Sequence, residues 1–348
     1  MKVVVDDKIP YIKGEIERLS DEVVYLPGSE FTPEAIRDAD ALIVRTRTRC
    51  NRALLAGSRV RFIATATIGF DHIDTAFCRE AGIEWANAPG CNAASVAQYV
   101  RAALLLLELR CGIDLRACCM GIVGVGHVGS LVRKVALELG MNVLCCDPPR
   151  ARREGADGFV DMDLIARRCD VITFHTPLTR EGADATYHLA DAAFFQSLQR
   201  KPVFFNTSRG EVVDTEALVQ AWRSGKLREL VLDVWEHEPD IDRCLLADAF
   251  LGTPHIAGYS ADGKANAARM ALEAVCRFFG LKPCFTIEPP APEQTIICAD
   301  TQAKALLQMY NPERDSAALK LHPELFEQLR GNYPLRREAV AYQVKLTK

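Results

Sequence analysis

An α/β chain with two doubly wound parallel sheets and a short appended segment is what the sequence predicts, on three observations. The chain has 348 residues, too long for one ordinary core. Short β-branched runs alternate with amphipathic stretches, which is the rhythm of strands and crossover helices in a parallel sheet. That rhythm runs twice, on either side of one long apolar helix, and ends at a cluster of prolines.

The first run places strands at 2–6, 22–26, 41–45, 61–65 and 83–87, short runs that carry β-branched residues. A helix then extends from Ser95, its cap, to about Arg110. Its segment Ala102 to Leu107 is apolar almost all round, so it should be buried as the bridge into a second domain. The second run places strands at 119–123, 142–146, 170–174, 202–206 and 229–233, with helices at 128–139, 161–168 and 214–224 between them. A further helix, Ala261 to Phe279, is expected to pack back on the first domain. Pro283, Pro289, Pro290 and Pro292 mark a linker. The expected organisation is therefore residues 1–94 completed by 259–285, residues 95–258, and a small segment 286–348 that serves assembly, with a cleft between the first two domains.

Composition narrows the partners. Net charge is −4 with both signs mixed along the chain, so no nucleic-acid or membrane surface is expected and the partner is small. The N-terminus meets Asp6 and Asp7 after a few apolar residues and lacks the apolar core of a signal peptide. No apolar run approaches a membrane span. Thirteen cysteines are an odd number without a C-x-x-C pair, and they read as small buried hydrophobes of a reducing cytoplasm; no metal is expected.

Gly124-Val125-Gly126-His127-Val128-Gly129 follows an apolar strand and opens a helical pattern, the context of a Rossmann-like dinucleotide turn. The first glycine permits the turn, the second admits a pyrophosphate, and the third allows close helix–strand packing. Asp147 ends the next strand, 18 residues after Gly129. A carboxylate there accepts from ribose hydroxyls and repels a 2′-phosphate, which favours NAD over NADP. Arg150, Arg152 and Arg153 argue the other way, and Asp147 could also be a turn residue before Pro148-Pro149. Thr176 and Asp233, each after an apolar strand, are candidates to touch the cofactor, Asp233 through the nicotinamide carboxamide; capping or turn roles are the alternatives.

Arg209, in Asn206-Thr207-Ser208-Arg209-Gly210, can clamp a carboxylate bidentately, unless it serves an ordinary ion pair. His255 follows Pro254, and Glu238 can fix its tautomer, which makes it a candidate acid–base. His237 competes for that role but stands in a loop expected to be exposed. Thr46 lies in Val44-Arg45-Thr46-Arg47-Thr48-Arg49; if that segment is extended, its alternate arginines point the same way and suit a phosphate, the alternative being a solvated strand end.

The glycine turn, His175-Thr176-Pro177-Leu178, the Asn206–Gly210 run, Asp233-Val234-Trp235-Glu236-His237-Glu238-Pro239 and Pro254-His255-Ile256-Ala257-Gly258 occur in the order and spacing of a known family. The chain resembles the D-isomer-specific 2-hydroxyacid dehydrogenases over roughly residues 1–280. Finer details carry a likeness to a branch of that family acting on a four-carbon phosphorylated hydroxy acid: Val3–Asp7 with Pro10-Tyr11, Ala64–Asp74, Asp233–Glu236 and Ala257–Ser260. The resemblance implies that Arg209 and Glu238 are catalytic and that His255 is the proton donor and acceptor. It implies NAD on Gly124, Gly126, His127, Val128, Gly129, Asp147, Thr176, Asp233 and Gly258, and substrate on Thr46, Thr67 and Tyr259, with Arg45 beside them. It also implies a homodimer formed through the C-terminal segment. Other family substrates, such as 3-phosphoglycerate, glycerate or lactate, stay open, although 293–348 is short for an effector-binding domain. So does an NAD-sensing, corepressor-like protein, since that class shares the fold and the catalytic trio.

Overall fold

The computed structural model describes residues 1–347 and divides into two compact units. The first comprises Met1–Asn92 and Ser260–Ala291. Its strands are β1 (Lys2–Asp6), β2 (Glu22–Leu26), β3 (Ala41–Val44), β4 (Phe62–Thr65) and β5 (Glu84–Ala86). They form one parallel sheet in the order β2-β1-β3-β4-β5. Because side chains alternate across a strand, Val3 and Val5 enter one core and Val4 the other. The helix Ala261–Phe279 covers the Val3/Val5 face with Ala265, Ala268, Leu272 and Val275. Its alanine-rich contact surface lets it lie close to the strands. Shorter pieces, including Thr75–Ala81, cover the other face through Phe77 and Cys78.

The second unit comprises Ala93–Tyr259 and the chain from Pro292 onward. It holds β6 (Cys119–Val123), β7 (Asn142–Cys146), β8 (Val171–Phe174), β9 (Val203–Asn206), β10 (Glu229–Leu232) and the two-residue β11 (Leu251–Gly252). The sheet is parallel in the order β11-β10-β9-β8-β6-β7, and the strand order reverses at β6. Helices Ala93–Cys111 and His127–Glu138 line one face; Met162–Arg168, Ala192–Ser197 and Thr215–Arg223 line the other. The Ala102–Leu107 stretch is buried throughout, as its apolar circumference requires.

The ladder register sets which residues meet at the end of this sheet. Cys146 pairs with Val123, Val123 with Phe174, Phe174 with Asn206, Asn206 with Leu232, and Leu232 with Gly252. The residues next in sequence, Asp147, Gly124, His175, Thr207, Asp233 and Thr253, therefore stand along a single carboxyl edge. In open α/β sheets that edge, at the reversal of strand order, is where ligands bind.

The chain beyond Pro292 forms a two-stranded parallel sheet, β12 (Ile296–Ala299) with β13 (Gln343–Leu346), and helices Gln302–Met309, Glu313–Leu321 and Phe326–Gly331. Leu319 and Phe326 join the second unit's core, Tyr310 stands 6.3 Å from Tyr99, and Ser316 Oγ accepts from the Gly252 amide at 3.0 Å. Arg336, 5% exposed, donates to the carbonyls of Ser95, Ile256 and Ala257. Among the described residues no helix is long and apolar enough to cross a membrane. All thirteen cysteines are free thiols.

Candidate active site

The glycine turn follows β6 as its sequence requires. Gly124 has φ +86°, and a Cβ there would lie 2.7 Å from the His175 carbonyl oxygen; a Cβ on Gly129 would lie 2.0 Å from the Gly124 oxygen. Neither position accepts a side chain. Gly126 differs: no atom lies within 4 Å of where its Cβ would be. It is the N-cap of the helix His127–Glu138, makes no side-chain cap, and has no acid in the first turn behind it. The amides of His127, Val128 and Gly129 thus open on a clear approach with the positive end of the helix behind them, the surroundings a pyrophosphate needs.

Asp147 Oδ2 accepts from the Val125 amide at 2.8 Å, and Oδ1 caps the helix Pro148–Glu154 through the Arg150 amide at 3.0 Å. The adjacent prolines begin a helix rather than a plain turn, since proline's fixed φ suits the first helical positions. The three arginines are engaged within the chain: Arg150 with Glu154 and the Val125 carbonyl, Arg152 with Asp184, Arg153 with Glu154. Their charge is thereby answered without a 2′-phosphate. Thr176 Oγ1 is buried with no hydrogen-bond partner, an orphan that a bound group at this edge would satisfy. Open Gly126, uncapped amides and an orphaned hydroxyl together fit a dinucleotide.

Three loops on the same edge carry the acid–base groups. Asn206 Oδ1 accepts from Ser208 while its Nδ2 donates to the Arg209 carbonyl, and this winds the turn that presents Arg209. Gly210 is needed behind it, because a Cβ would lie 2.0 Å from the Trp235 backbone. Arg209 Nη1 donates to the Ser208 carbonyl at 2.7 Å. The loop after β10 folds Glu238 back so that its Oε1 accepts from the Trp235 amide at 3.0 Å and its Oε2 receives His255 Nδ1 at 2.9 Å. His255 has φ +57° and is 25% exposed.

Burial is the largest influence on Glu238 and pushes its pKa up. The charge and hydrogen bond of His255, the Trp235 amide and Arg330 outweigh it, and the carboxyl titrates below its usual range. Asp233, 1% exposed, is raised by burial, against the pull of His255 and of the hydrogen bonds it accepts. His237 is exposed, as expected. Tyr259 caps this segment, its amide donating to the Ile256 carbonyl at 2.9 Å, with Gly258 just before it.

In the first unit, Thr67 donates to the Gly69 carbonyl at 2.8 Å and shares a hydrogen bond with Thr65, which also meets His72 Nε2 at 3.1 Å. The segment after β3 is not extended. It turns at 46–48, with the Thr48 amide on the Arg45 carbonyl at 3.1 Å. Strand alternation therefore does not align Arg45, Arg47 and Arg49; Arg45 lies back on buried Asp6 through Nε and Nη2 at 3.2 and 3.1 Å. Thr46 is exposed at the turn's tip.

Sequence reasoning did not single out His175, whose ring bridges Thr173 at 3.0 Å and Thr207 at 3.2 Å, nor Arg330, which stands 3.6 Å from Glu238. The first opens the His175–Leu178 motif, its flanking threonines the only signal. The second carries no local signature.

A parallel sheet with a dinucleotide turn at its reversal point and a carboxylate-backed histidine on the same edge defines a nicotinamide-dependent dehydrogenase. The model of the D-isomer specific 2-hydroxyacid dehydrogenase NAD binding domain matches residues 95–257, and a domain of unknown function matches 291–348. The erythronate-4-phosphate dehydrogenase of Bacteroides fragilis is 61% identical over 348 residues, 100% of both chains. That of Bacteroides thetaiotaomicron is 59% identical over 344 residues, 99% of each chain. Among solved structures, NAD⁺-bound 3-phosphoglycerate dehydrogenase of Entamoeba histolytica is similar with a TM-score of 0.67 and 26% identity, covering 83% of this chain and 98% of that one. The chain belongs to the D-isomer specific 2-hydroxyacid dehydrogenases, in the branch of the erythronate-4-phosphate dehydrogenases. Its cofactor is NAD and its substrate a small hydroxy acid.

Proposed function

We propose that the protein oxidises 4-phospho-D-erythronate to (R)-3-hydroxy-2-oxo-4-phosphobutanoate, a step of pyridoxal 5′-phosphate (vitamin B6) synthesis. Full-length identity of 61% to an erythronate-4-phosphate dehydrogenase supports the substrate, and the 2.9 Å His255–Glu238 pair on the dinucleotide edge carries the chemistry. NAD, held by the 124–129 turn, Asp147, Thr176, Asp233 and Gly258, supplies the acceptor for the C2 hydride.

His255 does the proton work. With Nδ1 engaged by Glu238, the imidazole offers Nε2 to the C2 hydroxyl and takes its proton, and Glu238 stabilises the imidazolium that results. Arg209 holds the substrate carboxylate and stabilises the carbonyl dipole that grows at C2. From the first unit the Thr67 loop is assigned to the carboxylate and Thr46 to the phosphate, with Arg45, held on Asp6, beside it, and from the second unit Tyr259 as a further contact. Residues 1–94 with 259–285 serve as the substrate-binding domain and 95–258 as the NAD-binding domain.

Residues 286–348 serve as a dimerisation segment in a cytoplasmic homodimer. Their exposed apolar side chains, among them Leu321, Leu335 and Val340 at 73, 51 and 85%, support that role. The test of function is reduced-nicotinamide absorbance on adding 4-phosphoerythronate to purified protein with NAD, beside 3-phosphoglycerate and glycerate. A response largest with 4-phosphoerythronate is expected. Preference for another hydroxy acid overturns the substrate, and no response to any overturns the activity.

A further inference from the structure

The C-terminal segment sends one side chain to the acid–base pair. Arg330, in the helix Phe326–Gly331, lies with Nη1 3.6 Å from Glu238 Oε2, the same oxygen that receives His255 Nδ1. Its Nε donates to the Tyr259 hydroxyl at 3.1 Å, and its guanidinium stands 5.9 Å from the centre of that ring. The side chain is 25% exposed.

This is not a loose surface contact. Phe326 anchors the helix in the core at 1% exposure. Tyr333, just beyond the helix, meets Tyr259 edge-on at 6.1 Å and donates to Asp315 at 2.8 Å. A guanidinium drawn out of water needs its charge answered. Glu238 answers it, together with Glu327 Oε1 at 3.9 Å.

We propose that Arg330 is a positioning residue of the dehydrogenase centre, sharing the Glu238 carboxylate with His255 and fixing the Tyr259 hydroxyl, so that the C-terminal segment completes the active site as well as serving assembly. The inference rests on the reading of His255 as the acid–base. A like charge beside a titratable cation disfavours its charged form, against the pull of the carboxylate that they share. Arg330 therefore offsets part of the pull that Glu238 exerts on an imidazolium at His255. The other charged or titratable groups facing the pair are Asp233, behind the His255 backbone, Glu327 and Tyr259.

The test uses the full-length enzyme. In Arg330→Gln the acid limb of the kcat/KM profile for hydroxy-acid oxidation moves up by about half a unit to one unit, and KM rises. Arg330→Lys returns the limb, because the charge is restored, but leaves KM raised, because an ammonium cannot hold carboxylate and phenol together. Tyr259→Phe raises KM without moving the limb. A limb that stays put in Arg330→Gln, with activity lowered equally at every pH, is what a purely structural role gives, and it overturns the proposal. Ring titration of His255 by NMR, its signal identified by loss in His255→Asn, reads the same effect without turnover. A shift in Arg330→Gln that Arg330→Lys abolishes supports the proposal, and no shift overturns it. That shift in an enzyme that oxidises no hydroxy acid would count against the proposed function alone.

Discussion

Asp233 and His255 are tied at the backbone: the His255 amide donates to the Asp233 carbonyl at 2.7 Å. The Asp233 carboxylate then gathers the chain on either side, accepting from the Thr253 hydroxyl at 2.7 Å and from the amides of Ile256 and Ala257 at 2.8 and 2.9 Å. This collection of donors holds His255 at φ +57°, a backbone region that residues other than glycine seldom adopt. Buried Asp233 thus aims the histidine as well as lying on the cofactor edge.

Asp233→Ala should be among the most damaging changes in the second unit. It leaves three buried donors without an acceptor, each worth about 1–3 kcal/mol in desolvation and not strictly additive. A loss of at least about 3 kcal/mol is expected in urea denaturation, with Asp233→Asn intermediate because one amide oxygen still accepts. An unchanged midpoint in the alanine variant would show that the loop holds itself.

His255→Asn should lower kcat by about 10²- to 10⁴-fold, the usual contribution of a positioned acid–base. Asparagine tolerates the left-handed backbone better than most residues, so the loop should persist. NADH affinity, read by fluorescence titration, should change by less than about twofold, since no part of the dinucleotide turn is touched. Near-normal turnover would remove His255 from its role.

Every strand of the two large sheets but β11 was legible as a short, mostly apolar run bounded by turn residues, and the register then brings the loops that carry Asp147, Thr176, Arg209, Asp233 and His255 to one edge. Three things were not legible. Two-residue β11 is too short to show a pattern. The bend after β3 depends on Asp6 drawing Arg45 back, a contact 39 positions apart. Arg330 reaches Tyr259 across 71 positions from a segment whose helices are brief, so no periodicity or motif announces it. Local pattern records strands and caps, whereas contacts made by the tertiary fold leave no mark on it.

Acid should weaken the second unit through His175. Burial pushes its pKa down, to about 3, while an unfolded histidine titrates near 6.5. The native ring refuses a proton that the unfolded chain accepts, so stability is full above about pH 6.5 and declines as pH falls toward the folded value. The full linkage slope is about 1.4 kcal/mol per pH unit, and the exposure that the residue retains narrows the pH window over which it acts. His175→Gln should be less stable at neutral pH yet show a flatter decline between about pH 6.5 and 5 in urea midpoints. Parallel slopes in the two proteins would assign the acid sensitivity elsewhere.

Two glycines of one turn should fail in opposite ways. A Cβ at Gly129 lies 2.0 Å from a backbone oxygen, which cannot rotate aside as a side chain would. Gly129→Ala should therefore cost about 3 kcal/mol or more, at the upper end of overpacking effects, and show first as a lowered Tm. At Gly126 nothing lies within 4 Å, so alanine fits the folded protein at a cost under about 1 kcal/mol. The space it fills is the approach to the amides of His127 and Val128, and its effect should fall on the ligand. NADH affinity should drop at least about tenfold, a loss of about 1.4 kcal/mol, with Tm nearly unchanged. If Gly126→Ala bound NADH as tightly as the parent chain, the dinucleotide would have to lie away from this turn, and the open position at the helix start would lose its meaning.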